Sequence, residues 1–294
     1  MATQIGIETG TLARPRTERR TVRDFLDELR ALYMRSMRKL LRRPVLLYFT
    51  LIQPVIWLLL FGQVFSRITQ APGLSAAFGG LTYFAYFMPA VILQTILFGA
   101  GQSGVGILAD MDSGFLDKML TTPINRTAIL LGKVLADLSR MLIQGIIVVA
   151  LAFGFGQINS DSNVTFAYGV AGIAGALGVA ILFGLSLAAF NVFIALRTKN
   201  TEATFLLTNF LTLPLLFASS AMLPLQIMPD WLQTVARFNP VTYAINTMRL
   251  LLYGQNFDPF NSTPELLLKT GLILGGLVVI TLILAVRSFQ KSVR

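Results

Sequence analysis

Six stretches of the chain are apolar over roughly the 20 residues that a helix needs to cross about 30 Å of hydrocarbon. We predict membrane-spanning helices over residues 45–66, 81–109, 128–155, 166–196, 202–222 and 265–286. Mean hydropathy is +0.69 and only 13% of the 294 residues are charged, which is unlike a soluble domain. The predicted fold class is therefore an all-α integral membrane protein with six transmembrane helices in one membrane domain, over residues 44–287.

Lysine and arginine are distributed unevenly between the segments that connect these spans. Eleven of the 24 lie in the first 44 residues, and 20 fall on the side of the membrane that holds both termini if there are six spans. The positive-inside rule makes this side cytoplasmic, so the net charge of +10 indicates topology rather than nucleic-acid binding. We expect a multi-pass protein of a bacterial or archaeal plasma (cell inner) membrane, with residues 223–264 outside.

The polar N-terminal segment divides into two parts. Residues 1–21 have no apolar core of a signal peptide, and we expect a disordered cytoplasmic tail. Residues 22–43 predict an amphipathic interfacial helix whose basic face meets anionic lipid or a cytoplasmic partner. The apolar face holds Val22, Leu26, Leu29, Tyr33, Met37 and Leu40, and the basic face holds Arg35, Arg38, Lys39 and Arg42. At the other end, residues 288–294 are expected to form a cytoplasmic tail.

A polar insert over residues 110–127 separates the second and third spans. It carries three carboxylates, yet Phe115, Leu116, Met119 and Leu120 recur at helical spacing. We therefore expect a short amphipathic helix at the cytoplasmic surface, with its apolar face turned outward for another protein to grip. The alternative is an ordinary connecting loop.

The membrane interior excludes several functions. Apart from terminal turns, the spans contain no Asp, Glu or His, and the chain has no Cys, which argues against an ion-driven carrier and an intramembrane enzyme. Gly132-Lys133 is similar to part of a phosphate loop, but Val134 and Thr127 stand where the motif needs Ser or Thr and Gly. We therefore expect no catalytic residue, metal or cofactor in this chain, and any energy must come from another protein.

Three stretches together resemble the permease subunit of ABC-2 type exporters, particularly the daunorubicin or multidrug-resistance branch. The first is Arg43-Pro44 with Gln53-Pro54-Val-Ile-Trp57. The second runs from Asp110 to Pro123, followed by Leu131-Gly-Lys-Val-Leu135. The third combines Met228-Pro-Asp-Trp-Leu232, Asn239-Pro-Val-Thr-Tyr243 and Arg249-Leu-Leu-Leu-Tyr-Gly254.

This resemblance implies a half-transporter that works with two copies of a separate ABC ATPase, on which ATP and magnesium would be bound, and with a second copy of itself or a similar permease. It also implies an external re-entrant helical hairpin over residues 223–254. The insert would be the coupling helix that contacts the ATPase, through Asp112, Phe115, Leu116, Asp117, Met119 and Leu120. Spans 2 and 5 would line the substrate path, with Gln94, Phe98, Gln102, Phe205 and Asn209 as candidates.

The expected function is ATP-driven export of a hydrophobic or amphipathic substrate, such as a drug, lipid or glycan precursor. A membrane scaffold without a transport path is the alternative, followed by an ion-coupled carrier. Each polar residue of the path also has a simpler explanation, which is a hydrogen bond between helices. The sequence names neither the substrate nor the ATPase.

Overall fold

A computed structural model describes residues 22–42, 44–71, 73–121, 126–158 and 164–292. The tail predicted for residues 1–21 and the last two residues of the predicted C-terminal tail lie outside this range. The described residues are mostly helical and include no strand. Within these described ranges, ten α-helices follow one another: α1 Val22–Leu41, α2 Pro44–Val64, α3 Tyr83–Asp112, α4 Phe115–Leu120, α5 Arg126–Ile158, α6 Gly169–Thr198, α7 Thr201–Phe217, α8 Asp230–Phe238, α9 Pro240–Tyr253 and α10 Thr263–Ser292.

Four of these helices are long and apolar enough to cross a membrane: α3, α5, α6 and α10. Two shorter apolar helices, Leu51–Val64 within α2 and Thr201–Phe217, lie where the sequence predicts the first and fifth spans. The all-α class is confirmed for the described residues, and the count of six spans stays a prediction.

The fifth predicted span is shorter than the sequence suggests. It was expected to reach residue 222, but α7 ends at Phe217, after 17 residues or about 25 Å. The amide of Asn239 donates hydrogen bonds to the carbonyl oxygens of Leu215 and Ala218, at 2.6 and 2.7 Å. These bonds satisfy carbonyls that a helix leaves unpaired at its C-terminus. The helix can therefore end there without leaving these carbonyls without a hydrogen bond.

The last helix is longer than predicted. α10 continues through Ser292, where the sequence suggested a tail from residue 288. Phe289 is almost fully buried and packs in a cluster with Ala285 and Leu196. Burial of this aromatic ring stabilises the added turns, because a fully buried Phe contributes about 1.5–3 kcal/mol.

The helix α3 is the centre of the bundle. Every residue from Tyr83 to Leu97 is buried, and α3 packs against α2, α5, α6, α7 and α9. It approaches α6 closely at Gly104, where a Cβ atom would lie 2.5 Å from the backbone oxygen of Asn191. Only glycine allows two helices to come this near at that position.

The segment between α7 and α10 forms two helices of different character. α9 is buried along nearly its whole length and packs against α3, α6 and α10. α8 is amphipathic and leaves Trp231, Val235 and Phe238 exposed. Two consecutive helices do occupy the region of the expected hairpin, and its re-entrant position in a membrane stays a prediction.

Candidate functional site

The polar insert forms a short helix directly after the end of α3. The chain turns at Ser113 and Gly114, where Gly114 adopts a φ of +64° and its N–H donates to the Met111 carbonyl at 2.9 Å. Glycine is favoured at such a left-handed helix end because it has no Cβ. The six residues of α4 therefore leave α3 at a fixed angle rather than continuing it.

The inner side of α4 packs against the chain itself. The Arg35 guanidinium of α1 lies over the ring of Phe115, and Met119 is only 7% exposed. Both side chains join an apolar cluster that includes Ile107 of α3 and Ile129 of α5. The expectation of one outward apolar face is therefore wrong for Met119 and Phe115, since α1, α3 and α5 cover that side.

The outer side of α4 is only partly described. Asp112 and Lys118 are exposed to solvent. The side chains of Leu116, Asp117 and Leu120 lie outside the described residues. Their contact with a partner ATPase stays a prediction.

An ion cluster ties α1, α3 and α5 together close to the start of α4. Lys133 of α5 forms an ion pair with Asp110, in the last turn of α3, and also donates to the Gly106 carbonyl at 2.5 Å. Lys39 of α1 lies 3.7 Å from the same carboxylate. Three helices, α1, α3 and α5, thus meet at one partly buried carboxylate close to the start of α4. Among the described residues, no group of three His, Cys, Asp or Glu side chains can hold a metal ion.

The predicted path residues do not share one surface. Gln94 is buried within the single chain, Phe98 is half-buried, and Gln102 is exposed beside α1 and α5. On α7, Phe205 is exposed, and the Asn209 amide donates to the Phe205 carbonyl at 2.9 Å. Gln94 is only 6% exposed in the single chain and does not reach an open surface in this conformation, and its role in a substrate path stays a prediction.

A fully buried cation was missed by the sequence reasoning. Arg249 of α9 is 0% exposed, and its guanidinium lies 3.5 Å from the centroid of the Tyr86 ring. It donates to the carbonyls of Tyr86 and Ala221 and to the Asn246 side chain, at 3.1, 3.2 and 3.2 Å. Tyr253, one turn further on, donates to the Ala85 carbonyl at 2.7 Å. These bonds join α9 to the first turns of α3.

The sequence held one signal for this site. Arg249 is a lone charge among the apolar residues of α9, at helical spacing from Asn246 and Tyr253. A charge in such a run needs partners, because burial without hydrogen bonds is costly. The partners themselves are carbonyls 28 and 163 positions away, and no local pattern reveals them.

Comparison with known proteins gives consistent matches. Residues 27–253 match the family described as ABC-2 type transporter. The chain is 32% identical over 236 residues to ycf38 of Pyropia yezoensis, a protein named as a transport permease, covering 79% of this chain and 76% of the relative. It is also 27% identical over 222 residues to the daunorubicin resistance ABC transporter permease protein DrrB1 of Streptomyces coeruleorubidus, covering 75% and 73%.

Proposed function

Because the chain belongs to the ABC-2 type transporter family and is similar to permease subunits, we propose that it is the transmembrane half of an ATP-driven exporter. ATP is hydrolysed by a separate ABC ATPase, two copies of which serve two permease chains. The permease moves a hydrophobic or amphipathic compound from the cytoplasm outward. The observation that carries this proposal is the placement of α4, a short helix that leaves α3 at its end and is tied to α1 and α5.

The coupling step follows from these contacts. An ATPase that grips the outer side of α4 pulls on Phe115, and through it on Arg35 of α1. The Asp110–Lys133 pair carries the same displacement to α3 and α5. Because packed helices move as rigid elements, a small shift at α4 tilts helices that run the length of the bundle. Leu116, Asp117 and Leu120 are the proposed contacts with the ATPase.

The proposed orientation places both termini and α4 in the cytoplasm. It rests on the charge distribution, with 20 of the 24 Lys and Arg residues on that side. Six spans, with α8 and α9 as an external re-entrant hairpin, are part of the same proposal. The burial of α9 supports the proposed hairpin. A helix whose residues are buried along nearly its whole length lies inside the bundle.

A second copy of the chain, or a similar permease, is the proposed neighbour of α7. This helix leaves Phe205, Leu206 and Phe210 exposed, with Phe210 at 75%. The substrate path would lie between the two copies, beside Phe205 and Asn209 of α7. Aromatic and amide groups suit an amphipathic substrate better than a small ion, and the printed name of the daunorubicin resistance relative points to the same class.

A transport assay tests this proposal. The chain is expressed with its candidate ATPase, and inverted membrane vesicles are incubated in a solution of a fluorescent amphipathic drug such as daunorubicin. We expect uptake that requires ATP and persists when ionophores collapse ion gradients. Uptake that is driven by an ion gradient without ATP would contradict the proposal and indicate an ion-coupled carrier. If no amphipathic compound is taken up, the result would contradict the proposal and favour a membrane scaffold.

A further inference from the structure

A polar cavity lies between α1, α3 and α5, close to the start of α4. Its volume is about 220 Å³, which is below the roughly 300–1,000 Å³ of pockets that enclose drug-sized ligands. Six charged residues line it: Arg35, Lys39, Asp110, Lys133, Asp137 and Arg140. A cavity of this size and polarity fits a small charged group rather than a whole drug.

The charges in the cavity do not balance. Four cations face two carboxylates, so the lining carries an excess of two positive charges. Asp110 is shared by Lys133 and Lys39, and Asp137 pairs with Arg140 at 3.4 Å. Within the described ranges, no carboxylate lies within ion-pair distance of Arg35, which leaves its guanidinium to the ring of Phe115 and to the cavity.

Two lining residues carry buried polar atoms without a hydrogen-bond partner in the described part of the chain. They are the Nε donor of Arg140 and the Oδ2 acceptor of Asp137. A buried donor and a buried acceptor that stay unpaired destabilise the fold, because each has lost its hydrogen bonds to water. A ligand with an anionic oxygen for Arg140 and a hydroxyl group for Asp137 would satisfy both.

We propose that this cavity binds the phosphate of a hydroxyl-bearing anionic headgroup, of the phosphatidylglycerol type. The phosphate lies between Arg35, Lys39 and Arg140, and a headgroup hydroxyl donates to Asp137. Basic pockets between membrane helices near the surface are typical sites for phosphate headgroups. The phosphate could equally come from a soluble phosphate ester, and the experiment separates these two sources. The site goes beyond the proposed export function and does not depend on it.

Native mass spectrometry of the purified full chain tests the site. The protein is held in neutral detergent with equal amounts of phosphatidylglycerol and phosphatidylcholine, and the retained lipids are counted. We expect preferential retention of phosphatidylglycerol, reduced by about 30-fold in the variant Arg35→Gln with Lys39→Gln. The matched control is Arg30→Gln with Arg38→Gln, which removes the same charge from the same helix outside the cavity and should retain the lipid. An equal loss in both variants would overturn the proposal, since it would mean diffuse attraction to a basic helix.

Two further comparisons in the same experiment define the ligand. Phosphatidylethanol carries the same charge as phosphatidylglycerol but no headgroup hydroxyl, and we expect weaker retention of it. Equal retention of the two would overturn the contact with Asp137. Millimolar glycerol phosphate is then added: if it displaces the lipid, the site takes a soluble phosphate ester, and if the lipid stays, the source is the membrane. Since no ATPase or transport is involved, failure here leaves the proposed export function untouched.

Discussion

The guanidinium carbon of Arg35 lies 3.3 Å from the centroid of the Phe115 ring. This contact joins α1, which runs along α5, to α4, which leaves the end of α3. A cation over an aromatic face contributes about 0.5–1 kcal/mol when exposed and about 2 kcal/mol when desolvated. The contact therefore makes α1 part of the same unit as the proposed coupling helix.

A double-mutant cycle measures this contact. Arg35→Gln and Phe115→Leu are made singly and together, and unfolding is followed in mixed micelles with increasing denaturing detergent. We expect a coupling energy of about 0.5–2 kcal/mol, because each change removes the same interaction. If the two substitutions change the free energy of unfolding additively, the contact between the two side chains does not contribute to stability.

Arg249 should be far more important for stability than its position in a proposed external segment suggests. Arg249→Met leaves the carbonyls of Tyr86 and Ala221 without their donor in the core. We expect a loss of about 3–5 kcal/mol, comparable to breaking a buried charged pair, measured by the same unfolding assay. Arg237→Met is the matched control, since Arg237 is exposed and only stacks on Phe260 at 4.0 Å. Equal effects of the two changes would contradict the role assigned to Arg249.

Two glycines on packed helices should respond in opposite ways to alanine. A Cβ at Gly104 would meet the backbone of Asn191, which cannot move aside as a side chain can. We expect Gly104→Ala to cost about 1–3 kcal/mol and to lower the melting temperature in detergent. Gly178→Ala should be neutral or slightly stabilising, because nothing lies within 4 Å of its Cβ. A harmless Gly104→Ala would mean that α3 and α6 are further apart than described.

Much of the helical framework can be predicted from the sequence, because long apolar runs specify helices whatever their neighbours are. The direction in which one face of a short helix points cannot be predicted in the same way. Periodicity places Phe115 and Met119 on one side of α4, but it cannot say that α1 and α5 cover this side. The same limit applies to Gln94. Its polar side chain in a predicted span suggests a place on the substrate path, but the sequence does not show that the helices packed around α3 bury it. Arg249 was missed because its acceptors come from distant parts of the chain.

Topology can be measured directly, since the chain has no native cysteine. Single cysteines at Ser113 and Ser262 occupy exposed positions at opposite ends of the proposed spans. Asn261 is a poorer choice, because its side chain bonds to Asp258 and Lys269. We expect an impermeant thiol reagent to label position 262 in intact cells, and position 113 only after the membrane is opened. Labelling of position 113 from outside would reverse the proposed orientation.

The central claim is that an ATPase drives transport through the outer side of α4, and paired substitutions there test it most directly. Leu116→Asp with Leu120→Asp is compared with Tyr168→Asp with Val170→Asp, at the start of α6. The control positions are exposed, Val170 at 82%, and lie at the other end of the proposed topology. Charged groups at a buried hot spot remove most of its contribution to binding.

The decisive measurement is the amount of ATPase that co-purifies with each variant, together with ATP-dependent drug uptake by vesicles containing equal amounts of permease. The account predicts that the α4 variant reaches normal abundance, loses the ATPase at least about 10-fold, and transports nothing, while the control pair keeps both activities. Normal ATPase binding and normal uptake by the α4 variant would contradict it, and α4 would then be only a connection between α3 and α5.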